Sequence, residues 1–320
     1  MHNDIRAGGT PGQERKRKVV LLGPAPPLRG GIAAHTARLA EALVRNGHEA
    51  EVVSYSRLYP SLVFPGTCQR DAVAAAVGHE LLDVLDPRTW LETRRHLARR
   101  PDSLVVFQWW HPVVAPALGA ILTRLARDRV VAICHNVEPH EFFPLARLAA
   151  GAVLRRAGAI LCHSRAVGDH LALFGLAPRV RLRAMPPLLA PRQIEEGAAS
   201  AWADHHFGIA KDARVAVMAG HIRAYKGVDV LLEAWSRLGG ERLANARLVL
   251  AGESYLGSRG QRRIRDAIAG DSRIIQQNRY LADEELDLLI KRADVLVLPY
   301  QRASQSGLIP LARAAGTPVL

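Results

Sequence analysis

The sequence predicts an α/β protein with two tandem Rossmann-like, doubly wound domains facing a cleft. Three observations predict it. Short apolar runs alternate with amphipathic helical stretches along nearly the whole chain. One proline-rich segment, MPPLLAPRQIEEGAAS (185–200), interrupts that rhythm. Glycines and cations cluster where apolar runs hand over to helices, as in AGHIRAYKGVDVLLEAW (219–235).

The elements follow in order. KVVLLG (18–23) reads as a strand. Residues 31–47 read as a helix with Ile32, Leu39, Leu43 and Val44 on one side and Gly47 as its stop. EAEVVSY, SLVVFQ, RVVAIC, AILCHS and VRLRAM read as further strands, with helices at 112–127, 143–157 and 164–174. RTWLETRRHLARR (88–100) is a basic helical patch, by default a solvated face, alternatively a surface for anionic lipid. Residues 187–199 read as a linker between a first domain at 18–186 and a second at 200–320. The second series runs RVAVMAG, helix 227–239, ARLVLAG, helix 259–269, RIIQQ, helix 283–292, DVLVLPY, helix 306–315 and TPVL. TPVL is a strand with no helix after it, so the second domain is expected to be incomplete, with an open sheet edge. Residues 1–17 are polar and basic and read as a disordered tail.

Composition narrows the function. The chain has 320 residues, 49% of them hydrophobic, enough for two domains. Its net charge is +13, and the excess is uneven: residues 1–186 hold 25 basic and 15 acidic side chains, residues 187–320 hold 18 and 15. The first half would therefore attract a polyanion or an anionic membrane. Nucleic acid is disfavoured, because aromatics are only 5% and the cations are scattered rather than striped. Cys68, Cys134 and Cys162 show no paired spacing, so no disulfide framework or zinc site follows. No apolar run is long enough to span a bilayer.

Five loops could carry chemistry. Gly30 and Gly31 stand where the first strand meets its helix. Free backbone N–H groups there suit an anion, although a plain tight turn explains a GG pair equally well. The spacing is neither the dinucleotide fingerprint nor a P-loop. His135 and Asn136 follow a buried strand and face the crevice. The nearby Glu138, His140 and Glu141 do not make a helical zinc motif, so no metal is expected. Trp109, Trp110 and His111 end another strand, where indoles suit sugar rings or lipid headgroups, or simply pack between domains. Glu253, after LVLAG, could bind a ribose diol or be a surface residue. Ser304, Gln305, Ser306 and Gly307 precede an apolar helix, with Ser306 as its N-cap, and form a second anion cradle. Gly220, His221, Arg223 and Lys226 rise from the same sheet edge. Cations converging on a helix N-terminus suit a diphosphate.

The ordered set (GG loop, HN, AGHIRAYKG, LVLAGE and LPY…SG…LARAAGTPV) resembles the GT-B glycosyltransferases, specifically the family-four, group 1 retaining enzymes. The resemblance covers about 18–320. It implies acceptor binding by the first domain and nucleotide-diphosphate binding by the second. By similarity Gly31 lies near the donor phosphate or acceptor, His135 near the transferred sugar, Lys226 on the phosphate and Glu253 near the base. Gly30, Asn136, Trp109, Trp110 and His111 fall on the acceptor side. Two departures stand out. The family's G-R-x-x-x-K-G arginine aligns with His221, leaving Arg223 to substitute, and the family's paired glutamates align with Ser304 and Ala312.

The function expected from the resemblance is sugar transfer from a UDP- or GDP-sugar to a glycan or lipid-linked acceptor hydroxyl, with retention. His135, Arg223 and Lys226 are its catalytic candidates. No D-x-D occurs, so leaving-group stabilisation by cations without metal or other cofactor is expected. The setting expected is cytoplasmic, peripheral on the inner face of the plasma membrane, in polysaccharide or cell-envelope synthesis. Alternatives are a nucleotide-sugar epimerase or phosphorylase on the same fold, a non-catalytic nucleotide-sugar-binding scaffold, and a basic nucleic-acid binder.

Overall fold

The computed structural model describes residues 16–59, 68–72, 74–139, 143–186, 194–195, 197–238, 244–302 and 305–320. Its first sheet contains β1 (Lys18–Leu22), β2 (Glu49–Arg57), β3 (His79–Asp83), β4 (Leu104–Trp109), β5 (Val130–Cys134), β6 (Ala159–Cys162) and β7 (Val180–Leu182). The strands are parallel in the order β3-β2-β1-β4-β5-β6-β7. Parallel strands need crossovers, which α1 (Gly31–Arg45), α2 (Pro87–Ala98), α3 (Ala115–Leu122), α4 (Ala146–Leu154) and α5 (Arg165–Ala172) supply.

The second sheet holds β8 (Arg214–Ala219), β9 (Ala246–Ala251), β10 (Ile274–Gln277) and β11 (Val295–Leu296), parallel in the order β10-β9-β8-β11. Its helices are α6 (Ala198–Phe207), α7 (Val228–Ser236), α8 (Ser258–Gly270), α9 (Asp283–Arg292) and α10 (Leu308–Ala315). TPVL lies beside β11: Leu296 N–H donates to Pro318 O at 2.8 Å and Leu320 N–H to Leu296 O at 2.9 Å.

Period-2 alternation splits each strand between two cores. Val20 and Leu22 join Val105, Phe107 and Trp109 under α2, α3 and α4, while Val19, Leu21 and Val106 join Ala40 of α1 on the opposite face. In the second sheet, Val215, Val217 and Ala219 pack toward α6, α9 and α10, and Met218 packs toward α7.

Several sequence expectations change. β3 and α6 were not anticipated, because HELLD is too polar for a buried strand and ADHHF masks the end of a helix. α6 begins at Ala198, inside the segment expected as linker; residues 187–193 and 196 of that segment, and 1–15 of the expected tail, lie outside the described residues. In α1 the buried face is Ala33, His35, Thr36, Ala37 and Ala40; of the expected stripe Ile32, Leu39 and Leu43 are half-buried against the cores, and Val44 is 57% exposed. Small residues let this helix sit close to the sheet, which drives the larger ones to its flanks. Both sheets reverse their winding at one point: between β1 and β4, and between β8 and β11. Loops leaving neighbouring strands in opposite directions open a crevice there.

Two glycines hold the second of these openings. Gly252 has φ +138°, and a Cβ there would overlap the Gly220 carbonyl oxygen. Gly252→Ala is therefore expected to destabilise the protein by about 2 kcal/mol or more, from backbone strain added to the clash. Urea unfolding measures it, and a loss below about 0.5 kcal/mol would contradict the stated geometry.

Candidate functional site

The loops from both switch points line one cleft of about 620 Å³. From the first sheet come Arg29, Gly30 and Gly31 after β1, and His135 and Asn136 after β5. From the second come Gly220, His221, Tyr225 and Lys226 after β8, Gly252 and Glu253 after β9, and Tyr300, Gln305, Ser306 and Gly307 around the start of α10. Ile32, Leu308 and Leu311 add apolar wall. The sequence-expected residues that meet here are thus Gly30, Gly31, His135, Asn136, Gly220, His221, Lys226, Glu253, Gln305, Ser306 and Gly307. Ser304, His140 and Glu141 lie outside the described residues.

Gly30 is the N-cap of α1 with φ +115°, and a Cβ there would meet nothing within 4 Å. The turn needs glycine for its dihedral, and the space before it stays open. Ile222 bridges to Ser254, and Ile222 N–H donates to Glu253 O at 2.9 Å, so His221 and Glu253 stand on neighbouring loops. The Glu253 carboxylate accepts from Tyr255 Oη at 2.9 Å. Lys226 ends a short 3-10 turn, and Gly227, with φ +72°, carries the chain into α7. A Cβ on Gly220 would stand 3.4 Å from Lys226 Nζ, so the glycine leaves the amine room beside the strand end.

The cations divide in a way the sequence concealed. Burial, aided by Arg223, pushes the Lys226 amine down to about 8, leaving it charged at neutral pH. Burial, then Lys226 and Arg223, pushes His221 down to about 4. The side chain aligned with the family's arginine is therefore a neutral imidazole. Arg223 lies over the Tyr255 ring, 4.8 Å from its centroid, and is not among the residues lining the cleft. Its charge acts on the cleft residues Lys226 and His221, and on Tyr59. Arg29, missed from sequence, does line the cleft. Its guanidinium stacks at 4.6 Å over Tyr280, and its buried Nε has no hydrogen-bond partner. The signal available was a lone arginine directly before the GG pair.

Other expectations are corrected. Trp109 is fully buried and donates to Val137 O at 3.2 Å; Trp110 is 7% exposed and donates to Tyr59 Oη at 2.8 Å. Strand parity places Trp109 with Val105 and Phe107 in the core, so neither indole is an acceptor platform. His111 Nδ1 accepts from Val113 N–H and caps a 3-10 turn. Gly307, not Ser306, is the N-cap of α10, although Ser306 Oγ still accepts from Leu308 N–H at 3.4 Å. Ala312 is fully buried in the core.

His135 is 3% exposed, and burial holds it well below the ordinary histidine range. Its Nδ1 meets Gln305 Nε2 at 3.2 Å across the cleft, and its Nε2 meets Gln108 Oε1 at 2.6 Å behind. Gln305 Oε1 is buried without a partner. Among the described residues no group of three or more His, Cys, Asp or Glu side chains is arranged to hold a metal ion.

Residues 30–187 match the family model of a glycosyl transferase 4-like domain, and residues 213–320 match that of glycosyl transferases group 1. No curated protein matches the sequence. Among solved structures the chain is similar to sucrose-phosphate synthase from Thermosynechococcus elongatus, at 15% identity and TM-score 0.67, covering 95% of this chain and 80% of that one. It is similar to HepE from Anabaena in complex with UDP and glucose, at 14% identity and TM-score 0.64, covering 95% and 80%. A UDP-forming α,α-trehalose-phosphate synthase from Burkholderia vietnamiensis aligns at 13% identity and TM-score 0.61, covering 93% and 82%. At these identities the likeness is one of fold.

The Lys226 amine makes anion binding pH-dependent. A bound diphosphate favours the ammonium form and raises its pKa. Affinity for UDP is expected to stay flat as pH rises to about 8 and then to fall toward tenfold per pH unit, with uptake of up to one proton on binding. Titration calorimetry in two buffers of different ionisation enthalpy at pH 8.5 reads that proton. Lys226→Met should abolish the uptake, and an unchanged uptake in the variant would remove Lys226 from the anion site.

Proposed function

The chain belongs to the group 1 glycosyltransferases of the GT-B fold, and we propose that it transfers a sugar from a UDP- or GDP-sugar to a hydroxyl on a glycan or lipid-linked acceptor. One observation carries the proposal. Cations, glycine-lined backbone and a helix start from two sheets converge on one cleft, with a neutral histidine beside them. That combination suits a ligand with an anionic half and a hydroxyl-bearing half.

In this reading Lys226 and Arg29 neutralise the charge that builds on the leaving diphosphate, and His221 donates a neutral hydrogen bond. Free N–H groups at the start of α10, near Ser306 and Gly307, add donors to the same oxygens. Glu253 faces the nucleoside end. His135 and Gln305 meet the transferred sugar, and Gly30, Gly31 and Asn136 border the acceptor. Ile32, Leu308 and Leu311 exclude water, which strengthens each electrostatic contact and limits donor hydrolysis. Protein cations perform the leaving-group role without a metal, and retention at the anomeric carbon belongs to the same proposal. A peripheral position on an anionic membrane suits a lipid-linked acceptor and the basic first half; among the described residues no helix is long and apolar enough to cross a membrane.

A second reading has its own observation. Ala312, where the family carries a glutamate, is sealed in the core and reaches no ligand. A nucleotide-sugar-binding protein without transfer is consistent with that loss. Release of UDP or GDP on adding an acceptor separates the two.

A thermal-shift screen over UDP, GDP and their sugars tests the shared premise. At a hundredfold excess over Kd, the matching nucleotide should stabilise by about 2.7 kcal/mol, a rise of about 4 °C for a chain of this length. No shift with any of them would overturn the diphosphate site. Lys226→Ala and Arg29→Ala should each weaken nucleotide binding by about ten- to a hundredfold, the range for losing a charge-assisted hydrogen bond. Arg223→Ala should cost less than either, and the reverse order would place Arg223 on the ligand.

A further inference from the structure

Behind His135 and Gln305 runs a chain of polar side chains, Gln108, His35 and His163, that the proposed transfer does not use. Gln305 Nε2 meets His135 Nδ1 at 3.2 Å, and His135 Nε2 meets Gln108 Oε1 at 2.6 Å. Gln108 Nε2 meets His35 Nδ1 at 3.4 Å, and His35 Nε2 meets His163 Nε2 at 3.2 Å. His163 Nδ1 ends the chain on the Arg183 carbonyl oxygen at 3.1 Å. Gln108 is fully buried and His35 is 3% exposed. They come from different elements: Gln108 from β4, His35 from the sheet-facing side of α1, and His163 from the turn after β6.

One end fixes the direction of every link. A carbonyl oxygen only accepts, so His163 carries its proton on Nδ1. A neutral imidazole has a single N–H, so His163 Nε2 accepts from His35 Nε2–H. His35 Nδ1 must then accept, and the Gln108 amide N–H donates to it. This turns Gln108 Oε1 toward His135 as an acceptor, so His135 carries its proton on Nε2. His135 Nδ1 is left as the acceptor, and Gln305 N–H donates to it. Neutrality at all three histidines is required and is present: burial pushes His35 down to about 4, holds His135 well below its ordinary value and lowers His163.

We infer that Gln108, His35 and His163 are positioning residues that lock His135 as its Nε2–H tautomer, so that its Nδ1 accepts from the Gln305 amide N–H and leaves Gln305 Oε1, an acceptor, for the ligand. The Gln305 Oε1 that this orientation sets is buried and without a partner. An acceptor there selects a ligand hydroxyl and repels a phosphate oxygen, whereas an Nδ1–H tautomer of His135 would turn the amide and present its N–H groups instead. The hydroxyl-bearing end of the donor is thereby directed to Gln305 beside His135, and its diphosphate to Lys226 and Arg29. Gly23 is part of the device, since a Cβ there would overlap Gln108 Cγ and displace the amide. The catalytic consequence rests on the transferase reading; the tautomers do not.

The test is long-range proton–nitrogen correlation NMR of the histidine rings in the ¹⁵N-labelled full chain at pH 7, assigned by single histidine replacements. The expected result is His135 and His35 as Nε2–H tautomers and His163 as Nδ1–H. An Nδ1–H tautomer or an imidazolium at His135 would overturn the inference. Gln108→Met keeps the unbranched shape beneath Gly23 and removes both amide hydrogen bonds. In that variant His135 should become a mixture of tautomers. Transfer kcat should fall on the order of tenfold, as when a group behind a contact residue is lost, with a smaller change in donor KM. A folded variant in which His135 stays wholly Nε2–H would also overturn it. Should the variant not fold, the wild-type tautomers decide. Correct tautomers with no sugar transfer from any donor would retire the transferase reading and leave the positioning chain standing.

Discussion

The architecture depends on one constraint: parallel strands can be joined only by crossovers, and crossovers that change direction leave a gap. In the first sheet the change lies between β1 and β4, and in the second between β8 and β11. Both gaps open at the carboxyl ends of the strands, where loop amides are free of the ladder. The cleft lies where the loops of one gap meet those of the other. Glycine is required at Gly30, Gly220 and Gly252 because the turns at these openings need positive φ.

Charge is then distributed by burial rather than by residue type. Lys226 keeps its proton near neutrality, His221 loses its own, and Arg223 is held over the Tyr255 ring. Arg29 arrives from the other sheet to supply the second cation, stacked on Tyr280. Opposite them, two buried histidines and the half-buried His163 stay neutral, and a backbone carbonyl orients their protons. The cleft thus has a cationic end and an uncharged, acceptor-bearing end without any paired carboxylate at position 312.

Strand-to-helix alternation was legible in the sequence because parallel strands buried on both faces read as continuous apolar runs. The GG, HN, KG and SG loops were legible because glycine and helix starts are local signals. Trp109 was misread because its role turns on strand parity: one residue's shift separates the core face from the side where Gln108 meets His35. α6 was missed because its helix carries two histidines and a short apolar face whose main partner is the distant α9. Arg29 was overlooked because sequence spacing says nothing about which loops of the two sheets meet.

By itself the sequence determined the fold class, the order of the elements and the loops that line the cleft, since these follow from local apolar period, glycine placement and helix starts. Only the tertiary structure decided that Arg29 lines the cleft, that His221 is neutral, and that His135 is buried between Gln305 and Gln108. Those properties depend on burial and on contacts between residues far apart in the chain. His135 and Gln305 meet across 170 positions, and no periodicity or spacing encodes a contact of that range.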